Sequence, residues 1–448
     1  MYKIVVCILF TLLISACQSN RYISRKAFAD EFNKRSEYAL NDSLIPGSFR
    51  LPPGTTLENG LTEEEAVNIS LWNNARFQTD LADISMANAN VTNAAIISNP
   101  LLRYLAPTGG IATSGYINFA LDFIWQRPQR IAVAKLNADR IADSLMQRGF
   151  SLIRDVQFNY ADLLAATERL TIIRETAKIR AEMAHLANVR LKYGDISELE
   201  ASTSRADSAS AADDLVQANL NYLLAKSSLN YIMGFTSPDT VISVITARPD
   251  TILRKIPVKD YLELAFEYRP EIRAAKVAIE AAGKTLGLER SRIINFTASL
   301  NYQYVNANGG PRWLPNAVNP GFQMDIPIFN RNQGNIQRAN ALLEKASLQY
   351  FTVQQNIALD VSQAYHRYEQ NYQSYQVWNT NTLPALAETV TLVSATYRRG
   401  DISYIPVLEA LRQLQNGRLR QAAIAADLRK SISQLNYAIG QNLTSAKP

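Results

Sequence analysis

The sequence predicts a mainly α-helical chain with a small β part, duplicated in tandem, and three observations lead there. A short string is written twice: Tyr193-Gly194-Asp195-Ile196-Ser197 returns as Arg399-Gly400-Asp401-Ile402-Ser403, and Leu229-Asn230-Tyr231 with Gly234 returns as Leu435-Asn436-Tyr437 with Gly440, both at an offset of 206. Fixed-offset similarity of this kind marks an internal repeat. Long stretches carry apolar residues every three or four positions, the period of an amphipathic helix. Between shorter helical arms and these long helices, brief segments alternate polar and apolar residues, the period of a strand with two unlike faces.

Taken in order, residues 1–16 read as a signal peptide: Lys3 precedes an apolar stretch from Ile4 to Ile14 that is too short to span a bilayer. Ser15-Ala16-Cys17 then resembles a bacterial lipobox, in which the thiol is acylated and becomes the new amino terminus. Residues 17–56 are expected to be a lipidated tether, and Gln18 in place of aspartate after the cysteine implies sorting to the outer membrane. Loss of the signal removes Cys7 and Lys3 and leaves 45 basic against 40 acidic side chains, or +5. That charge is too mild to indicate nucleic acid. One acylated cysteine leaves none for a disulfide framework or thiolate metal cluster.

The two repeats run roughly 57–240 and 256–440, with a polar tail at 441–448. Each is expected to hold a β-hairpin, at about 99–126 and about 295–328. In the first, Tyr116, Asn118, Ala120 and Asp122 alternate with Ile117, Phe119, Leu121 and Phe123; in the second, Phe296, Ala298, Leu300, Tyr302 and Tyr304 alternate with Thr297, Ser299, Asn301 and Gln303, and Phe322, Met324, Ile326 and Ile328 with Gln323 and Asp325. Leu101 to Ala106 is the weakest of the four strands. The turns are Pro107-Thr108-Gly109-Gly110 and Asn308-Gly309-Gly310-Pro311 through Asn319-Pro320. Outward apolar faces with aromatics near the ends suit a lipid band.

Each repeat then continues as a long helical hairpin. A helix from about Ala132 to Tyr193 would reach ~90 Å at ~1.5 Å per residue. Leu152, Val156, Tyr160, Leu163, Thr167 and Leu170 form its seam; Ala346, Tyr350, Val353, Ile357, Val361, Ala364, Tyr368, Tyr372 and Tyr375 form that of the second repeat. Gly194 and Gly400 fall where a left-handed residue stops a helix, after basic Arg190 and Lys192 or Arg398 and Arg399. Asp195, Ser197, Asp401 and Ser403 can cap the returning helices, and Ser197-Glu198-Leu199-Glu200 matches a capping box. The tips thus lie at about 193–197 and 399–403. Pro406 falls in a first helical turn, where it is tolerated, whereas Pro384 interrupts its helix and predicts a kink or break.

Four strands cannot close a barrel, and an open edge in lipid leaves backbone groups unsatisfied, so several chains must contribute to one barrel. Three chains give twelve strands and six helical hairpins, enough to wall a tube. That geometry implies a channel.

The lipobox, Leu61-Thr62-Glu63-Glu64-Glu65-Ala66-Val67 at the start of the first arm, and the duplicated tips together resemble the TolC-like outer membrane efflux protein family, lipoprotein type, over about Leu57 to Gly440. The lipobox and arm resemble its heavy-metal, cation-efflux branch. The resemblance implies a homotrimer with a twelve-stranded transmembrane β-barrel continuous with an α-helical periplasmic tunnel. It also implies outer-membrane lipid around that barrel, and a periplasmic adaptor and an inner-membrane transporter of RND type as partners. The docking end would be Gly194, Asp195, Ile196, Ser197, Gly400, Asp401, Ile402 and Ser403. A carboxylate constriction just inside the tips would use Glu409; the family's other acidic position falls on Pro406, whose counterpart in the first repeat is Glu200. Neither a cofactor nor a metal site is expected, since His185 and His366 lack metal-spaced partners, and no catalytic constellation is present. One alternative is the outer-membrane duct of a type I protein secretion system. Another, from a different class, is a periplasmic coiled-coil adaptor or scaffold lipoprotein, which should carry one hairpin and a soluble β domain.

Overall fold

The computed structural model describes residues 22–41, 49–57, 59–106, 113–237, 243–245, 256–304, 317–399 and 401–442. Cys7, Cys17, Gly400 and the turn residues 107–110 and 308–311 lie outside them. Among the described residues the order is α1 (Arg25–Ser36), α2 (Glu63–Asn73), α3 (Ala75–Leu81), α4 (Asp83–Ala95), β1 (Leu101–Leu105), β2 (Thr113–Ala120), α5 (Gln126–Lys192), α6 (Glu198–Ile232), α7 (Val258–Tyr268), α8 (Pro270–Ser291), β3 (Phe296–Tyr304), β4 (Ala317–Met324), α9 (Gln333–Val377), α10 (Leu383–Arg398) and α11 (Tyr404–Ile439). The chain divides into two compact units, one of Met1–Phe28, Leu81–Leu145 and Pro270–Gln354, the other of Ala29–Asp80, Met146–Arg269 and Gln355–Pro448.

The first unit holds an antiparallel sheet in the order β1-β2-β3-β4. Its register sorts the side chains. Leu102, Ile117 and Leu300 lie opposite one another, as do Phe119, Ala298 and Phe322, and Phe296 faces Met324. One strand position along, Arg103, Tyr116, Asn301 and Asn319 line up, as do Asn118, Ser299 and Gly321. Since successive side chains point to opposite faces, one face is apolar and the other largely polar. The apolar face is the exposed one, with Leu102, Ile117, Phe119, Leu300, Tyr302, Phe322 and Met324 all open to the surroundings. Leu101 and Leu105 are exceptions, sharing the polar face with Asn118 and Ser114.

Two strand limits differ from the sequence pattern. β2 ends at Ala120, and Asp122–Ile124 is a 3₁₀ turn, although the alternation runs on. The turn brings Trp125 inward, where its Nε1 donates to the Ser291 carbonyl at 3.1 Å and its ring meets Phe296 edge-on at 5.7 Å. β4 begins at Ala317, so Asn319-Pro320 belongs to a strand rather than to the turn. Proline is tolerated there because β4 is an edge strand of this sheet.

In the second unit, helix ends are set by repeated chemistry. Thr62 and Glu65 form a capping box at α2: the Thr62 hydroxyl accepts from the Glu65 amide at 3.2 Å, and the Glu65 carboxylate from the Thr62 amide at 2.9 Å. Gly234 and Gly440 sit at φ +85° and +79°. At each, the next amide reaches back to an asparagine carbonyl, Phe235 to Asn230 at 3.0 Å and Gln441 to Asn436 at 3.3 Å. These are Schellman stops, and they explain why Leu-Asn-Tyr followed by glycine is written twice. An added Cβ at Gly234 would lie 2.4 Å from the Asn73 carbonyl oxygen, and one at Gly440 3.1 Å from the Arg269 Cα. Both repeats therefore press the end of a short arm helix, α2 or α7, against a left-handed glycine.

Helix α5 is 67 residues long, ~100 Å at ~1.5 Å per residue. It begins six residues before the expected Ala132, because Pro128 fits a first turn. Its seam residues Leu152, Val156, Tyr160, Leu163 and Leu170 are buried, as are Ile357, Val361, Ala364 and Tyr368 of α9. The stretch 17–56, expected as a tether, contains α1, whose Phe32 is fully buried against Phe77 and Phe150. Gly149 makes that possible: a Cβ there would lie 2.2 Å from the Phe32 ring. The interruption predicted at Pro384 is a π turn, Trp378–Thr382, with the proline in the first turn of α10. Gly417 of α11 leaves room for it, as its Cβ would meet Leu386 at 2.7 Å and the Trp378 ring at 3.5 Å.

Candidate functional site

The twice-written tips lie in the second unit, and local chemistry builds each one. At the end of α5, Gly194 adopts φ +79° with open space around its Cα, so glycine is required for its backbone and not for clearance. The Asp195 amide donates to Arg190 O and the Gly194 amide to Leu191 O, both at 3.0 Å, a third Schellman stop. At the second tip the Asp401 amide donates to Thr396 O at 3.3 Å, the same bond 206 residues on. Ser197 caps α6 by accepting from the Glu200 amide at 3.2 Å. Ser403, by contrast, makes no capping hydrogen bond to α11, so the cap expected there is absent. The two turns share a stop and differ in their restart.

Tyr193, Leu199 and Ile405 project from these turns with most of their surface open, beside exposed Asp195, Ser197, Asp401 and Ser403. Ile196 and Ile402 are half-buried. Behind the second turn, Val407 and Leu408 are buried against Met183, Val393, Tyr397, Ile402 and Leu411. Met183 comes from the first hairpin, so the two hairpins share a small core. Arg190 reinforces it, donating to the Tyr397 hydroxyl at 2.6 Å with its guanidinium 5.5 Å from the ring centre. Of the two carboxylates expected at a constriction, Glu200 is half-buried in the first turn of α6; Glu409 is exposed on α11 and accepts from Gln413 at 2.9 Å.

A charged network escaped the sequence reading. Asp207 on α6 is 2% exposed, yet its Oδ1 accepts from Arg180 of α5 at 3.2 Å and from Arg412 of α11 at 2.6 Å. Arg180 also donates to Gln415 Oε1 at 2.6 Å. Three helices from both hairpins therefore meet on one carboxylate, whose Oδ2 has no partner among the described residues. The available signal was its position: Ala201, Ser204, Asp207 and Ala211 form a buried stripe at helical spacing, and a charge there needs partners. His185 and His366 are both exposed, and no cluster of metal-binding side chains occurs among the described residues.

Residues 261–441 match the outer membrane efflux protein family. The cobalt-zinc-cadmium resistance protein CzcC of Cupriavidus metallidurans is 22% identical over 385 residues, covering 85% of this chain and 90% of its own. The probable outer membrane lipoprotein SilC of Salmonella typhimurium is 24% identical, over 76% of this chain and 74% of its own. A crystal structure of CusC superposes with a TM-score of 0.72 at 20% identity, covering 91% of this chain and 99% of that one. The Campylobacter jejuni CmeC outer membrane channel also superposes at 0.72, with 14% identity and coverage of 90% and 92%.

Proposed function

We propose, from the premise that this chain belongs to the outer membrane efflux protein family, that it is one subunit of a passive export channel serving a cation-efflux pump. Channels of this kind form trimers and complete tripartite systems with a periplasmic adaptor and an inner-membrane pump; they are not enzymes. The observation that carries the reading is the four-stranded sheet, apolar on its exposed face and, among the described residues, unpaired at β1 and β4. Three copies joined edge to edge give twelve strands, with every ladder closed and the polar face turned to the lumen. An adaptor or scaffold lipoprotein has no use for such a sheet.

Within that reading, Cys17 carries the lipid, and the duplicated tips, Gly194 to Ser197 and Gly400 to Ser403, receive the adaptor. Exposed Tyr193, Leu199 and Ile405 offer apolar anchors there. Glu200 and Glu409 line the narrowest part, where acidic groups favour cations over anions. The pump is of RND type. The cargo assignment rests on relatives named for cobalt-zinc-cadmium resistance and cation efflux.

Cysteines introduced at Ser197 and Ser403 in the full-length protein, cross-linked in cells, should trap an adaptor and through it an RND transporter. Loss of the gene should lower tolerance to divalent cations. Trapping of a secretion ATPase instead would move the protein to type I export. Extraction by carbonate as a monomer would overturn the channel altogether.

A further inference from the structure

The end of the sheet where strands pass into helices is basic as well as apolar. Around it stand Arg127 and Arg130 at the start of α5, Arg290 and Arg292 at the end of α8, and Arg331 just before α9. The acids in the same three segments are Asp122, Glu289 and Asp325. Two of them are engaged: Glu289 pairs with Arg292 at 2.6 Å and accepts from Asn332 at 2.9 Å, while Asp325 accepts from Asn295 at 3.5 Å. Arg127 and Arg130 are directed to the carbonyls of Ala95 and Ile96. Exposed Arg290 and Arg331 meet no carboxylate among the described residues.

The segments are tied together, Asn332 to the Glu289 carbonyl at 2.7 Å and Trp125 to Ser291. Arg290, Arg292 and Arg331 each adjoin a residue in those bonds. Beside them the apolar face runs past the end of β4: Ile326 and Ile328 keep the parity of Phe322 and Met324 and are 70% and 62% exposed, and Phe329 is 91% exposed. Among the described residues this apolar ledge stays open, next to the exposed Arg290 and Arg331 side chains.

We infer that this rim binds the phosphate headgroups of anionic phospholipids, with Arg290, Arg292 and Arg331 holding the headgroup and Ile326, Ile328 and Phe329 lying against the acyl chains. The inference rests on the channel reading, which puts the helix-bearing end of the sheet on the periplasmic side and therefore at the inner leaflet. Guanidinium groups near a membrane surface attract anionic lipid at about fivefold in affinity each, an effect that salt weakens. A lone basic patch would suit many anions. The adjoining ledge selects one that carries acyl chains.

The test uses the full-length trimer, purified in detergent, stripped of lipid and titrated with dioleoyl phosphatidylglycerol, dioleoyl phosphatidylcholine or lipid A under native mass spectrometry. The wild type should bind phosphatidylglycerol at least about fivefold more tightly than phosphatidylcholine. R290Q/R331Q should lose that preference, whereas R420Q, at an exposed position of α11, should keep it. F329A should weaken both lipids alike. Equal binding of the two lipids by the wild type, or a preference undiminished in R290Q/R331Q, would overturn the proposal. So would a stronger preference for lipid A, which belongs to the opposite leaflet. Trimeric mass in the same spectra before lipid is added reports on the channel reading separately.

Discussion

Asp207 is the side chain on which most depends, because burial leaves its charge no substitute for the two arginines. Removing one partner of a buried pair strands the other, at a cost of about 3–5 kcal/mol. Asp207→Ala should therefore lower the unfolding free energy by that order, read from denaturant melts of the purified protein. Arg412 is 47% exposed, so Arg412→Ala should cost only about 0–1 kcal/mol, the range of surface pairs. Equal losses in the two variants would contradict this ranking. Glu63 gives a second prediction at this scale. Burial raises its carboxyl above the ordinary value, with Arg429 and Gln157 opposing the shift, and the neighbouring Tyr160 hydroxyl is pushed up to about 12, again chiefly by burial. A raised folded-state value means that the folded chain holds the proton more tightly than the unfolded one. Glu63 therefore favours folding at acid pH, and that contribution is lost as pH rises through and above the ordinary carboxylate range. Thermal melts at pH 5 and pH 7.5 should lie closer together in Glu63→Gln than in the wild type; an unchanged gap would remove Glu63 as their source.

Among elements, the glycine stops at Gly194, Gly234 and Gly440 make a graded series. All three share a bonding pattern and differ in clearance: none within 4 Å at Gly194, 3.1 Å to backbone at Gly440 and 2.4 Å at Gly234. Alanine at Gly194 meets only the left-handed backbone cost, about 1–2 kcal/mol. Alanine at Gly440 adds a neighbour that must yield, and alanine at Gly234 a clash with a carbonyl. Circular-dichroism melts should rank the losses Gly194→Ala, Gly440→Ala, Gly234→Ala, smallest first. Much of this was readable from sequence, since stop, turn and cap chemistry is local: the glycines, the asparagines and the 206-residue offset all stand in the chain. What could not be read depends on partners far away. The alternation past Ala120 looked like strand because nothing nearby says that Trp125 will turn in to bond Ser291. Pro384 announced an interruption, but the π turn needed Gly417, 33 residues on. Asp207 lay in a stripe of small buried residues whose arginines come from two other helices, so the site's outline was legible and its electrostatics were not.

At the scale of the whole molecule, the sheet faces decide whether three copies assemble. Ile117 stands on the exposed apolar face opposite Leu300, and Asn301 on the other face opposite Tyr116. With the apolar face in lipid, arginine at Ile117 costs about 2–4 kcal/mol if it lies near the midplane, whereas the lumen side accepts charge. Ile117→Arg should sharply reduce the heat-modifiable trimer on gels, and Asn301→Arg should leave it intact; the reverse result would invert the barrel. The helical hairpins are absent from this balance because no described helix is long and apolar enough to cross a membrane.

The seat that Gly149 leaves for Phe32 has a consequence in time. A chain exported amino terminus first delivers α1 before any of its seat exists. Phe77 follows, then Gly149 and Phe150, and Asn442, which donates to Glu37 at 3.5 Å, arrives some 400 residues later. With Cys17 acylated as proposed, this early segment waits at the membrane while the rest of the chain catches up. Asn442 thus reaches Glu37, just past the end of α1, only after the rest of the seat is in place, and a truncation that removes it should show itself first as a loosened α1.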